Sequence, residues 1–279
     1  MGFVSRHSKR DQELPIYREQ LLNSALEDLT SDENVLAIYL GGSLGRGNFD
    51  GFSDIDIHTI VTPETKPTFI KDKKMRSSRW GNVLFHEQSS ATSPVVVTHY
   101  DCFIKVDSWY ETLDEVVPSI WLKGLKSIYD PSNLLAPLLA EATKHNFQVE
   151  AEDIAFWKNK VLAFIHETYR AAMRNELYYA LANVDRVRWL IADGWYMEMD
   201  KHLDSSYGVW SKVEGNRSQL HEWQLSLLES WSCGRDSSEI VKMLASMYPE
   251  LLRLNKSLCQ KIDIDDEEDR FKEILNLVL

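Results

Sequence analysis

Strand-like patterns in this chain stop at about residue 150 and helical patterns take over, so the sequence admits a mixed α/β part followed by an all-helical part. Leu14, Tyr17, Leu21, Ala25 and Leu29 recur at spacings of three and four, which predicts an amphipathic first helix over about residues 11–30. Val35 to Leu40 is a short apolar run ended by Gly41-Gly42, as expected of a buried strand that stops in a tight turn. From Asp54 to Val61 polar and apolar residues at first alternate, so Asp54, Asp56 and His58 share one strand face and Ile55 and Ile57 the other. Val95 to Val106 reads as a third strand, with Asp101, Phe103 and Lys105 on one face. Beyond it, Ile154, Trp157, Val161, Phe164, Ile165 and Thr168 mark the first of several helices. The predicted fold class is α+β, with one domain over residues 1–150 and a helical bundle over 151–279.

Composition narrows the partners. A net charge of −12 argues against a protein that coats duplex nucleic acid, because such binding needs a clustered basic surface to displace counterions. Cys102, Cys233 and Cys259 are isolated thiols without a disulfide framework or a CxxC pair, which suggests a reducing compartment. No apolar core follows the basic N-terminal residues and no long apolar run occurs, so the expected location is the cytoplasm, with no membrane partner. The acidic stretch Asp263 to Arg270 lacks the Gly and ligand spacing of a calcium-binding hand and reads as a solvated linker. His58, His86 and His99 lack zinc spacing and read as structural.

The informative segment runs from Leu40 to Ile57. After Gly41-Gly42 turns the backbone sharply, Ser43 offers a hydroxyl and an N–H suited to phosphate oxygens, and Arg46, one turn on, can pair with phosphate. Asp54 and Asp56 stand side by side on one strand face, and their repulsion favours a cation. Oxygen-only ligands of this kind suit Mg²⁺, which also coordinates substrate phosphates. A third carboxylate on an adjacent strand would complete a site for two ions, and Asp101 is the candidate. No Gly-Lys-Ser/Thr follows the turn and the Gly-x-Gly-x-x-Gly register fails, which disfavours kinase and dehydrogenase chemistry.

Gly42-Ser43 followed by Asp54-Ile55-Asp56 resembles the signature of the DNA polymerase β nucleotidyltransferase superfamily. The resemblance implies that the Gly-Ser turn holds nucleotide phosphates, that Asp54 and Asp56 bind metal, and that a third acid on a later strand completes the site. Asp101 is preferred for that acid because it lies within an apolar run; Asp107 shares its parity and is the alternative. The order of a mixed domain and a helical one also resembles bacterial aminoglycoside and lincosamide nucleotidyltransferases. It implies a helical substrate-binding domain that forms one wall of an acceptor cleft.

The expected function is transfer of a nucleoside monophosphate, AMP from ATP, to a hydroxyl of a small molecule, with two Mg²⁺ held by Asp54, Asp56 and Asp101. Asp101 doubles as general base, while Gly42, Ser43 and Arg46 orient the phosphates. An aminoglycoside or lincosamide antibiotic is the specific acceptor expected. The alternatives are a non-catalytic nucleotide-binding regulatory or antitoxin-like module, and an enzyme that modifies protein or RNA. Aromatic residues among acids in the helical part, such as Asp185 and Glu198 near Trp189 and Trp195, hint at a cationic ligand. Exposed aromatics would fit a homodimer or a cleft equally.

Overall fold

The computed structural model describes residues 5–87, 90–203 and 205–279. It divides into two compact units, Met1–Asn146 and Phe147–Leu279. The first unit is built on a six-stranded sheet. Helix α1 (Ser8–Thr30) leads into β1 (Val35–Leu40), the single turn α2 (Gly42–Arg46), β2 (Ile55–Val61) and α3 (Lys66–Ser77). Then follow β3 (Val83–Glu87), β4 (Val95–Tyr100), β5 (Lys105–Glu111), β6 (Lys126–Tyr129) and α4 (Leu135–Ala142). The strand order is β3-β4-β5-β2-β1-β6. The β2–β5 pair is parallel and the other pairs are antiparallel.

Alternation decides which face is buried. Leu14, Leu21, Ala25 and Leu29 of α1 and Phe69 of α3 pack on Ile38, Leu40, Ile55, Ile57, Val106 and Tyr110, which closes one face of the sheet. On the opposite face, Ala37, Tyr39 and Ile60 are covered by Val116, Leu122, Leu135 and Ala142. That second core stops short of the start of β2, and the half-buried Asp54 and Asp56 lie beyond it. Strong alternation in β5, where Val106, Ser108 and Tyr110 are buried between half-exposed neighbours, gives the same division of faces.

The expected strand from Val95 to Val106 is two strands. After Tyr100 the chain reverses over Asp101–Ile104, with Phe103 at a left-handed φ of 67° and Tyr100 N–H donating to the Ile104 carbonyl at 3.0 Å. The reversal interrupts the period of two, so a face assigned by counting through residues 101–104 does not carry across.

The second unit consists of α5 (Ala151–Met173), α6 (Leu177–Glu198), α7 (Glu222–Ser230), α8 (Ser237–Lys261) and α9 (Glu268–Leu275). A reciprocal cap starts α5: Glu150 accepts from the third-residue N–H while Asp153 accepts from the Glu150 N–H at 2.9 Å. Asp236 caps α8 by accepting from Ser238 and Glu239 N–H groups. Trp157, Leu190, Trp195, Leu251 and Leu254 form the centre, where Trp157 Nε1 donates to the Leu190 carbonyl at 2.8 Å. Gly194 belongs to that packing, since a Cβ there would stand 3.2 Å from Trp157 Nε1 and Leu254 Cδ1.

The acidic and aromatic residues interleaved along α5 and α6 have ordinary structural partners. Glu198 holds Arg253 through both oxygens at 2.8 Å, Trp195 donates to Glu250, and Asp185 accepts from Trp210 Nε1 at 2.8 Å. Asp193 is the exception: burial, with the Asp153 charge nearby, raises its pKa to about 7. Among the described residues no helix is long and apolar enough to cross a membrane.

Candidate active site

The turn after β1 is shaped by what surrounds it. Gly41 N–H donates to the Asp56 carbonyl at 2.8 Å, which ties the turn to β2. Gly42 has φ +52°, and a Cβ at that position would lie 1.8 Å from Asp56 Oδ2. Glycine is therefore required twice over, by backbone conformation and by the carboxylate beside it. Ser43, 5% exposed, follows at once. Gly47, at φ +75°, closes α2 in the left-handed conformation common after a helix end. Arg46 donates from Nη1 to the Gly42 carbonyl and from Nη2 to the Trp121 carbonyl, so its guanidinium lies against the same turn. The loop carrying Asp54 is held by Arg18, whose Nη1 donates to the carbonyls of Asp50 at 2.8 Å and Ser53 at 3.0 Å.

Parallel pairing of β2 and β5 sets Asp56 directly opposite Asp107. Lys105 lies between the acids, with Nζ 2.8 Å from Asp54 Oδ2 and 3.2 Å from Asp107 Oδ2. Asp54, Asp56 and Asp107 are thereby brought together on the open sheet face. Asp101 is not among them. It is exposed in the β4–β5 reversal, where its N–H donates to the Asn82 carbonyl and its Oδ2 accepts from Asn82 Nδ2 at 3.1 Å. Of the two acids considered for the third position, Asp107 is the one that lies beside the pair, because the reversal ends β4 before Asp101 and β5 begins a new alternation.

Electrostatics mark the three-acid group as strained. Burial, reinforced by the charges of Asp54 and Asp107, pushes the Asp56 pKa up to about 6, against the opposing pull of Lys105 and His58. Burial also raises Asp107, with Lys105 opposing. For Lys105, burial alone would lower the pKa, but the hydrogen bond to Asp54 and the charges of Asp107 and Asp54 raise it. Asp107 Oδ1 is buried without a hydrogen-bond partner. An orphaned carboxylate oxygen beside two further acids is a donor set that suits a hard divalent cation.

Among the described residues no group of three or more His, Cys, Asp or Glu forms a ready-made cage for a metal. Mg²⁺ is usually held by one or two carboxylates plus substrate phosphates and keeps several waters. Asp54, Asp56 and Asp107 are the residues that would hold such an ion arriving with a polyphosphate, and Lys105 is the counter-charge it would relieve.

Next to the acids on the same sheet face lies a layer that sequence reasoning missed. The His58 ring stacks between Tyr39, with centroids 4.5 Å apart, and Trp109, at 5.7 Å. Its Nδ1 is 2.9 Å from Glu111 Oε2, which also accepts from Tyr39 OH at 3.1 Å. His86 and His99 likewise have partners, Thr98 Oγ1 at 3.2 Å and Glu87 Oε1 at 2.6 Å. The alternation Lys105, Asp107, Trp109, Glu111 was the available signal for this layer, since it continues the face that bears the acids.

The segment that carries this geometry matches one family model. Residues 22–113 match the family model of the nucleotidyltransferase domain, a span that includes the Gly-Ser turn and all three acids. Among solved structures, an aminoglycoside 6-adenyltransferase from Bacillus subtilis is similar at 13% identity and a TM-score of 0.43, covering 94% of this chain and 98% of that one. A nucleotidyltransferase-like protein from Exiguobacterium sibiricum is similar at 14% identity and a TM-score of 0.41, covering 88% of this chain and 78% of that one. A search of curated proteins finds no match. The turn, the paired acids and the segment that matches the nucleotidyltransferase domain thus coincide on one sheet.

Proposed function

We propose that this chain transfers a nucleoside monophosphate, AMP from ATP, to a hydroxyl group of a small molecule. The observation that carries the proposal is the convergence of Asp54, Asp56 and Asp107 beside the Gly42 turn, with Asp56 Oδ2 occupying the space a side chain at residue 42 would need. The Ser43 hydroxyl and N–H, with the Arg46 guanidinium, would bind and orient the β and γ phosphates. Two Mg²⁺ bound by the three acids would neutralise the triphosphate and acidify the attacking hydroxyl. Asp107, whose buried Oδ1 has no other partner, would accept the proton of the incoming hydroxyl. Attack in line on the α-phosphorus then releases pyrophosphate.

Incubation with α-labelled ATP and Mg²⁺ against a panel of aminoglycosides, lincosamides, other hydroxylated small molecules, tRNA and cell lysate tests the proposal. Label on a small molecule supports it. Label on protein or RNA assigns the chain to macromolecular modification, and ATP binding with no transfer to any acceptor assigns it to the non-catalytic class.

A further inference from the structure

Beside the acids, at the end of the sheet where β4 reverses into β5, lies a cavity of about 380 Å³. Phe52, Leu84, Phe85 and Phe103 line it, and Asp54 and Lys105 form its wall toward the catalytic group. These four apolar side chains are 53–67% exposed, from Phe85 to Phe52. A cluster of exposed large apolar groups around a concavity next to polar residues is the pattern of a ligand pocket. Three of the four have a bracing contact nearby. The Phe85 ring stacks on His99 with centroids 4.2 Å apart, and His99 Nε2 is held by Glu87. Arg10 lies over the Phe103 ring at 3.9 Å, and Arg18 clamps the loop that carries Phe52.

Sheet order gives the cavity a direction. The Gly41–Gly42–Ser43 turn ends β1, on one side of β2, whereas the cavity is lined on the other side by Leu84 and Phe85 of β3 and His99 and Tyr100 of β4. In an in-line displacement the entering hydroxyl and the departing pyrophosphate occupy opposite sides of the phosphorus. Pyrophosphate held at the turn leaves the β4–β3 side to the acceptor.

We propose that this cavity is the acceptor pocket, and that its occupant is an uncharged or amphipathic alcohol carrying an alkyl or aryl group next to the reacting hydroxyl. The proposal rests on the nucleotidyl-transfer reading above. Charge also selects the occupant: Asp54 faces Lys105 at 2.8 Å, or the metal once Mg–ATP is bound, and His99 is paired with Glu87. A polycationic sugar finds no unpaired carboxylate there, while an apolar group gains about fourfold in affinity for each methylene it buries.

The test uses the full chain and the uncharged fluorophore N-phenyl-1-naphthylamine, with Mg–ATP binding measured separately by calorimetry. The proposal expects the fluorophore to bind together with Mg–ATP, octyl glucoside to displace it, and methyl glucoside and kanamycin to leave it bound. Phe85→Ala and Phe52→Ala, both at exposed positions, are expected to weaken fluorophore binding about tenfold while leaving the affinity for Mg–ATP unchanged. Fluorophore binding unaffected by both substitutions overturns the proposal. Weakened Mg–ATP binding in the variants overturns it too, by assigning the cavity to the nucleobase of the donor. Failure of the parent protein to bind Mg–ATP, with the fluorophore still bound, overturns the transfer reading itself and with it the acceptor role.

Discussion

Asp56→Asn is the substitution whose two effects the site predicts with opposite sign. The side chain keeps its size, but the charge that burial and two neighbouring acids disfavour is gone. The parent carboxyl titrates at about 6 when folded against an ordinary 3.8, and that difference corresponds to about 3 kcal/mol at about 1.36 kcal/mol per pH unit. A carboxyl with a raised pKa binds more protons folded than unfolded, so the parent loses stability as pH rises between about 4 and 6. The variant lacks this loss. In chelator, Asp56→Asn should match the parent at pH 4 and exceed it at pH 8 by on the order of 5–10 °C in melting temperature. Label transfer from ATP should meanwhile fall at least a hundredfold. Saturating Mg²⁺ should narrow the stability gap by favouring the ionised parent. A parent more stable than the variant at pH 8, or a gap of equal size at pH 4 and pH 8, would refute the electrostatic reasoning.

Asp107→Asn should lower transfer by about 10²–10⁴-fold, the range of a lost general base, whereas Asp101→Asn in the exposed reversal should stay within about twofold of the parent; single-turnover rates with α-labelled ATP distinguish them. Gly42→Ala should abolish Mg–ATP binding measured by calorimetry, because the new Cβ falls 1.8 Å from Asp56 Oδ2 at a φ of +52°. Asp193→Asn in the helical unit should stabilise that unit by about 4 kcal/mol above pH 7, an advantage that vanishes below about pH 4, since burial raises the Asp193 pKa to about 7; urea unfolding at the two pH values reads it.

Local signals carried much of this chain. The α1 stripe, the β1 strand and the alternation that pairs Asp54 with Asp56 are written in spacing that only neighbouring residues determine, and the fold contains each of them. What spacing could not carry was chain reversal without glycine or proline. At Asp101–Ile104 the left-handed residue is Phe103, a type that gives no turn signal, so the count of faces ran through a bend. Lys105 was equally hidden: its place between Asp54 and Asp107 depends on β2 and β5 pairing in parallel, a long-range fact. The same holds for His58, whose support by Tyr39, Trp109 and Glu111 draws on three strands.

Crystals grown with a non-hydrolysable ATP analogue and Mn²⁺ give the most direct view of the proposed chemistry, because anomalous scattering locates the ion independently of the phasing model. The account predicts an anomalous peak coordinated by Asp54, Asp56 and Asp107, with Lys105 displaced from the acids and the β and γ phosphates against Gly42 and Ser43. A nucleotide bound away from that turn, or a metal held without Asp56, would contradict it.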